Sequence, residues 1–131
     1  MSLPLSNALM ALPGIVEVVG NRRAFKQLAA GTVLPALVHT FVSVDPRSYL
    51  NEAEGYEAMR LQINPLAETT AGVQQIHDAV RAELDGLAHV TLAGHRVIAV
   101  RRDIVGPPDR YTDDAGRTAW TWPRDYIVLY E

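Results

Sequence analysis

A strictly alternating run, Met59-Arg60-Leu61-Gln62-Ile63-Asn64, is followed within ten residues by an apolar repeat of a different period. Side chains alternate across a strand, so the first run reads as a strand, Ala58 to Asn64, with one dry face and one wet one. Val73, Ile76, Val80, Leu84 and Leu87 then recur at steps of three or four, which lines one face of a helix over about residues 70–85. Gln74, Gln75, Asp78, Arg81 and Asp85 fall on the other side. Thr69 or Thr70 can accept from the free amides at its start, and Gly86 supplies a left-handed residue at its end. With the strand entered at Pro35, Leu34 to Leu87 reads as strand, long loop, strand and helix. The rest of the chain must cover or extend that unit.

In chain order, Leu5, Ala8, Leu9 and Leu12 share a helical face, and Pro13 suits the first position of a second helical piece ending at Gly20-Asn21. We read residues 5–19 as an N-terminal helix in two pieces, although the β-branched run Ile15 to Val19 also suits a strand. Arg22 to Gln27 is a weak strand candidate. Ala36 to Val44 has apolar residues at both parities, which predicts a strand covered on both faces or central in its sheet. Pro46 to Tyr56 is a polar loop, long for so small a domain. Leu87 to Leu92 is a short extended piece, Ala93-Gly94 a turn, and His95 to Ile104 a further strand. Gly106-Pro107-Pro108 breaks regular pairing, Asp113-Asp114-Ala115-Gly116 has hairpin-turn composition, and Thr118 to Tyr130 closes the chain. Pro123 inside that last strand requires an edge or a bulge. The expected fold is α+β: an antiparallel or mixed sheet of about four to six strands, two helices packed on one side, and a C-terminal β-hairpin.

The 131 residues fit one domain, 1–131, with enough core to fold without a metal or disulfide. There is no cysteine, which excludes a disulfide framework, a zinc ribbon and a thiol nucleophile. A net charge of -3 opposes a general attraction to nucleic acid or anionic lipid. No apolar run approaches the roughly 20 residues of a membrane span, and Met1 to Leu5 lacks a signal-peptide pattern, so the chain is expected to stay in the compartment where it is made. Lys26 is the one lysine among 12 basic residues; arginine favours forked contacts at protein interfaces, although genomic base composition would also produce this bias.

The residues give no positive evidence of a catalytic or metal site. His39, His77, His89 and His95 show no ligand spacing, and His77 beside the apolar helix face reads as a histidine bonded to a neighbour. Asp113 and Asp114 read as turn residues. No nucleophile elbow or phosphate-cradling loop is present. We expect no catalytic residues, no cofactor and no metal. Trp120, Trp122, Tyr126 and Tyr130 share parity beside Arg124 and could stack single-stranded bases, but core or subunit interface fits the acidic charge better. Arg96, Arg101, Arg102, Arg110, Arg117 and Arg124 alternate with Asp103, Asp109, Asp113, Asp114 and Asp125, either a solvated face or the rim of an interface.

The order of several features resembles one family. An N-terminal helix closes on Val19-Gly20-Asn21-Arg22, followed by Gly31-Thr32-Val33-Leu34-Pro35-Ala36-Leu37-Val38-His39 and the exit Val42-Ser43-Val44-Asp45-Pro46. Arg60 to Asn64, the helix ending Ala79 to Gly86, and a last strand ending Tyr126-Ile127-Val128-Leu129-Tyr130 complete it. So ordered, the chain resembles the tail-completion or tail-terminator proteins of long-tailed bacteriophages and prophages. The resemblance implies a structural, non-enzymatic protein that forms a ring, usually hexameric, at the head-proximal end of the tail tube. Its implied partners are itself, the tail-tube protein and a head-completion or connector protein, without membrane or direct nucleic-acid recognition. Assembly in the host bacterial cytoplasm and residence in the virion tail follow from the same resemblance. A closing ring needs a head-to-tail interface; we place it on the hairpin at Arg101, Arg102, Arg110, Tyr111, Asp113 and Asp114, and on the loop at Tyr49 and Glu52. The rivals are a small ligand-binding or enzymatic α+β domain and a single-strand nucleic-acid binder.

Overall fold

A computed structural model describes residues 3–29, 31–48, 55–106, 109–112 and 118–131. Two short helices, α1 (Leu3–Met10) and α2 (Pro13–Val19), precede the strands β1 (Arg23–Phe25) and β2 (Ala36–Val44). After a 3-10 turn, Pro46–Ser48, come β3 (Glu57–Ala67), the long helix α3 (Thr70–Leu84), β4 (Val90–Leu92) and β5 (His95–Val105). The chain ends with β6 (Asp109–Thr112), β7 (Thr118–Thr121) and β8 (Arg124–Tyr130). The strands form one mixed sheet in the order β1-β2-β3-β8-β5-β4, with β6 paired to β7 and β7 to the end of β3. Among the described strand pairs, only β1 with β2 is parallel.

This is the expected α+β fold, with a higher strand count. The three-residue strands β1 and β4 and the division of the last strand account for the excess. Three helices stand where two were expected, because Pro13 opens α2 as a separate helix rather than a continuation of α1. Between them Leu12 is extended, at φ -63° and ψ 146°.

The helix α3 begins and ends as its sequence dictates. Thr69 is extended, and its hydroxyl accepts the Gly72 N–H at 3.0 Å. Gly86 follows the C-terminal end at φ +79°. Val73, Ile76, Val80 and Leu84 are all buried. They meet Met59, Leu61 and Ile63 of β3, Leu37 of β2, Val97 and Val100 of β5, and Tyr126, Val128 and Tyr130 of β8. Leu5, Leu9 and Met10 of α1 and Ile15 and Val19 of α2 belong to the same core. All the described helices therefore lie on one face of the sheet. Glu83 of α3 accepts the Gly14 N–H at 3.0 Å and so satisfies a free amide in the first turn of α2.

Two prolines mark changes of partner. β3 pairs with β8 up to Ile63 and with β7 from Leu66. Pro65 lies between, and its missing N–H faces the break at Trp122-Pro123 rather than β2. Leu37, opposite Pro65, donates its N–H away from β3 to Arg22 O at 2.9 Å, so this pair exchanges no bonds. The prediction that β2 is central or doubly covered needs correction. It is next to the edge, β1 covers only Leu37–His39, and Val42 is 58% exposed.

Candidate assembly surface

β5, β6, β7 and β8 together make one long bent hairpin. Its inner half pairs β5 with β8 inside the main sheet, and its outer half pairs β6 with β7. The bend falls where Gly106 faces Pro123, and Gly106 N–H donates to Pro123 O at 2.8 Å. A Cβ at residue 106 would lie 2.6 Å from Pro123 Cγ, so only glycine fits without displacing the proline. The sequence places the break correctly at both positions, and the predicted single strand Thr118 to Tyr130 becomes two strands because of it.

Beneath the bend lies His77 of α3. Its Nε2–H donates to Trp122 O, and its ring meets the Trp122 ring edge-on with centroids 6.0 Å apart. Burial is the main reason its pKa falls to about 4; the Trp122 carbonyl and Asp78 act against that shift, and Arg124 adds to it. His77 is thus neutral at physiological pH and holds the bend to the helix. Among the described residues, His77 Nδ1, Trp122 Nε1 and Arg124 Nε are also buried without a hydrogen-bond partner. Burial also pushes the Tyr126 phenol up, against the pull of Arg124.

The predicted interface residues are placed unevenly. Arg101 and Arg102 are successive on β5, opposite Ile127 and Tyr126, so they point to opposite faces. Both are exposed. Arg102 Nε is 3.5 Å from Asp85 Oδ2 at the end of α3. Arg110 of β6 is exposed and lies over the Trp120 ring, 5.6 Å from its centroid. Tyr111 pairs with Ala119 in the outer hairpin. Arg101, Arg102, Arg110 and Tyr111 therefore follow one outer edge, from β5 into β6. Asp113, Asp114, Tyr49 and Glu52 lie outside the described residues. The loop that carries Tyr49 and Glu52 enters β3 at Glu57, whereas the outer hairpin meets β3 at Leu66 and Ala67. The outer hairpin, with Arg110 and Tyr111, is thus anchored about 30 Å along β3 from that loop, whereas Arg101 and Arg102 lie level with Arg60 and Leu61, near the middle of the strand.

The aromatic platform does not form. Tyr126 and Tyr130 are buried in the helix-side core, and Trp122 falls in the break between β7 and β8. What sequence reasoning missed is an ion cluster on the other face. Arg60 of β3 reaches Asp103 of β5 at 2.6 Å and Asp125 of β8 at 3.1 Å. These two pairs tie three strands together on the face that carries no described helix. The alternating Arg60, Gln62 and Asn64 announced a polar face, but not partners 43 and 65 residues away. His39 of β2 is similar: buried, and 2.7 Å from Ser6 Oγ of α1. Burial, then Arg23, lowers its pKa to about 4.

No group of three or more potential metal ligands occurs among the described residues, and no described helix is long and apolar enough to cross a membrane. A groove of about 490 Å³ crosses one end of the sheet, between Phe41, Ser43 and Val44 of β2 and Tyr56 to Ala58. It brings together no set of catalytic groups.

Comparison with known proteins defines the class. The family model for tail completion protein gp17 matches residues 4–124. The chain belongs to that family, and with it to the structural proteins of the bacteriophage tail. The fold is also similar to a chain in a solved structure titled virion of native gene transfer agent (GTA) particle, at 12% identity and a TM-score of 0.64. That match covers 98% of this chain and 96% of the other. No curated protein sequence matches.

Proposed function

We propose that this chain is the repeating subunit of a ring, hexameric when assembled, that caps the head-proximal end of a phage or prophage tail tube. There it stops tube growth and offers a surface to head-completion or connector proteins. The observation that carries this reading is the family match over residues 4–124. The role is structural rather than catalytic, and needs no cofactor and no membrane. Assembly takes place in the host bacterial cytoplasm, and the chain folds as one unit.

A cyclic ring needs two different surfaces on each subunit. The β5–β6 edge with Arg101, Arg102, Arg110 and Tyr111 is one, and Asp113 and Asp114 are assigned to it as well. The region of Tyr49 and Glu52 contributes to the other. The outer hairpin and the loop meet β3 at opposite ends, at Leu66–Ala67 and at Glu57, which supports this reading, because head-to-tail contacts join dissimilar patches.

The test is mass by light scattering over a concentration series, alone and then with tail-tube protein. A closed species near six subunits, or tubes capped at one end, is expected. A chain that remains monomeric and leaves tubes uncapped sinks the ring. Arg102→Glu and Asp114→Arg should each impair assembly; assembly indifferent to both would move the interface elsewhere.

A further inference from the structure

We propose that the outer edge of β2, at Phe41 to Val44, is the socket into which the β5–β6 edge of a second copy of this chain inserts, joining the two sheets by antiparallel strand pairing. The inference rests on the ring reading above and adds a named strand edge to the second surface, to which the region of Tyr49 and Glu52 contributes.

Backbone direction makes the case first. Leu37 donates outward to Arg22, and His39 O accepts outward from the Lys26 N–H, each at 2.9 Å. Backbone groups alternate sides along a strand, so Phe41 and Ser43 also turn N–H and C=O outward. β1 stops at Phe25, opposite His39, and no described strand pairs with β2 beyond it. The side chains do nothing to guard this edge. Ala36 to Val44 contains no Lys, Arg, Asp or Glu, and Val42 is 58% exposed. Soluble proteins usually protect such an edge with charge, proline or a cover. The groove of about 490 Å³ beside Phe41, Ser43 and Val44 keeps the helix side of the edge approachable as well.

The opposite border of the sheet complements it. Val100 O accepts the Gly86 N–H from the outer side, so Arg102, two residues on, turns its backbone groups outward too. β4 covers only His95–Val97 of β5. From Arg102 the border continues past the bend into β6, whose described partner is β7 alone.

Strand polarity then selects the occupant. β2, β3, β8 and β5 alternate in direction, so β2 and β5 run antiparallel to each other. Two copies in the same orientation, set side by side, therefore bring β5 of one antiparallel to β2 of the next, and the contact repeats. Phe41 and Arg102 lie on one rung, through Leu61 and Tyr126. The open part of β2 runs from that rung toward Val44, and that of β5 toward Val105. Joining them demands a stagger, and a sheet closing on itself requires one. The charged β5–β6 border is protected against random pairing, while the β2 edge takes a strand that brings its own charges.

Proline placed on an outward N–H blocks pairing without removing a bond inside the subunit. Ser43→Pro and, independently, Val42→Lys should fold normally by circular dichroism and raise the concentration needed for assembly at least tenfold. Gln62→Lys puts the same charge as Val42→Lys on the same sheet face but inside the sheet, and should assemble like the unmodified chain. Arg102→Pro blocks the other border. Ser43→Pro mixed with Arg102→Pro should give heterodimers and nothing larger, since the pair retains one intact contact. Normal assembly of Ser43→Pro and Val42→Lys overturns this inference and leaves the ring standing. A two-fold dimer lost in Ser43→Pro but kept in Arg102→Pro overturns it too, because β2 would then pair with itself. If the unmodified chain assembles neither alone nor on tail tubes, both readings fall.

Discussion

The two faces of the sheet are made by alternate residues of the same strands, yet they serve different ends. On the helix side, Met59, Leu61 and Ile63 are buried beneath three helices, and the fold depends on them. On the other side, Arg60, Gln62 and Asn64 meet Asp103, Asp125 and solvent. Ala58 and Ile127 are buried there as well, so polarity rather than exposure alone distinguishes this face. One strand thus supplies cohesion at odd positions and a charged, strand-tying surface at even ones.

The largest effect should come from emptying the helix side. Leu61→Ala removes a fully buried side chain and should cost about 3 kcal/mol, whereas Gln62→Ala, one residue away, should change stability by less than about 0.5 kcal/mol. Urea titrations of both decide the matter; equal losses would erase the distinction between the faces.

Acid should strike the helix side next. His39 and His77 titrate near 4 in the folded chain against a reference of 6.5. Between those values the unfolded chain binds protons that the folded chain does not, so stability falls as pH drops from about 6.5 to 4. Below that window these two groups add no further loss. Each histidine should contribute on the order of 2 kcal/mol after allowance for solvent screening. Denaturation at pH 7.5 and pH 4.5 measures it, and His77→Gln should flatten part of the slope. An unchanged slope in that variant would show that His77 is not the group responsible.

Gly106→Ala should cost about 1–2 kcal/mol, because the added methyl meets Pro123 at the bend. Loss of amide protection confined to Asp109 to Thr121 would place the damage in the outer hairpin; uniform loss would place it in the core. The smallest effect belongs to the charged face. Arg60→Met keeps most of the side-chain bulk, removes both ion pairs, and should cost about 1 kcal/mol, less at high salt. Salt-independent loss would mean that Arg60 acts by packing.

The elements legible in the sequence are those set by local rules. The periods of β3 and α3, the Thr69 cap, the Gly86 terminus and the Ala93-Gly94 turn all depend on neighbours in the chain. Ala93 and Gly94 both have positive φ, +52° and +78°, as a two-residue hairpin turn demands. What escaped depends on distant partners. Apolar residues at both parities in β2 suggested two covered faces, but a sheet border can carry the same pattern when another chain completes it. Pro65 gave no warning that β3 changes partner beside it. The link between Arg60, Asp103 and Asp125 needs the register of three strands, which no local pattern contains. Of the candidate surface, the arginine-bearing border was visible as composition, whereas the uncharged β2 edge became visible only when β1 was seen to end early.

The bend at Gly106 and Pro123 has a consequence for how such a molecule can diverge. The inner half of the hairpin is held by the core, so its residues answer to packing. The outer half, beyond the bend, has β7 against the last two residues of β3 and little else of the sheet. Substitutions there can accumulate to suit a changed neighbour while the scaffold stays as it was, provided that the glycine and the proline at the joint are kept. Lineages that exchange tail components would then differ most in the stretch between those two residues, and the joint itself would change least.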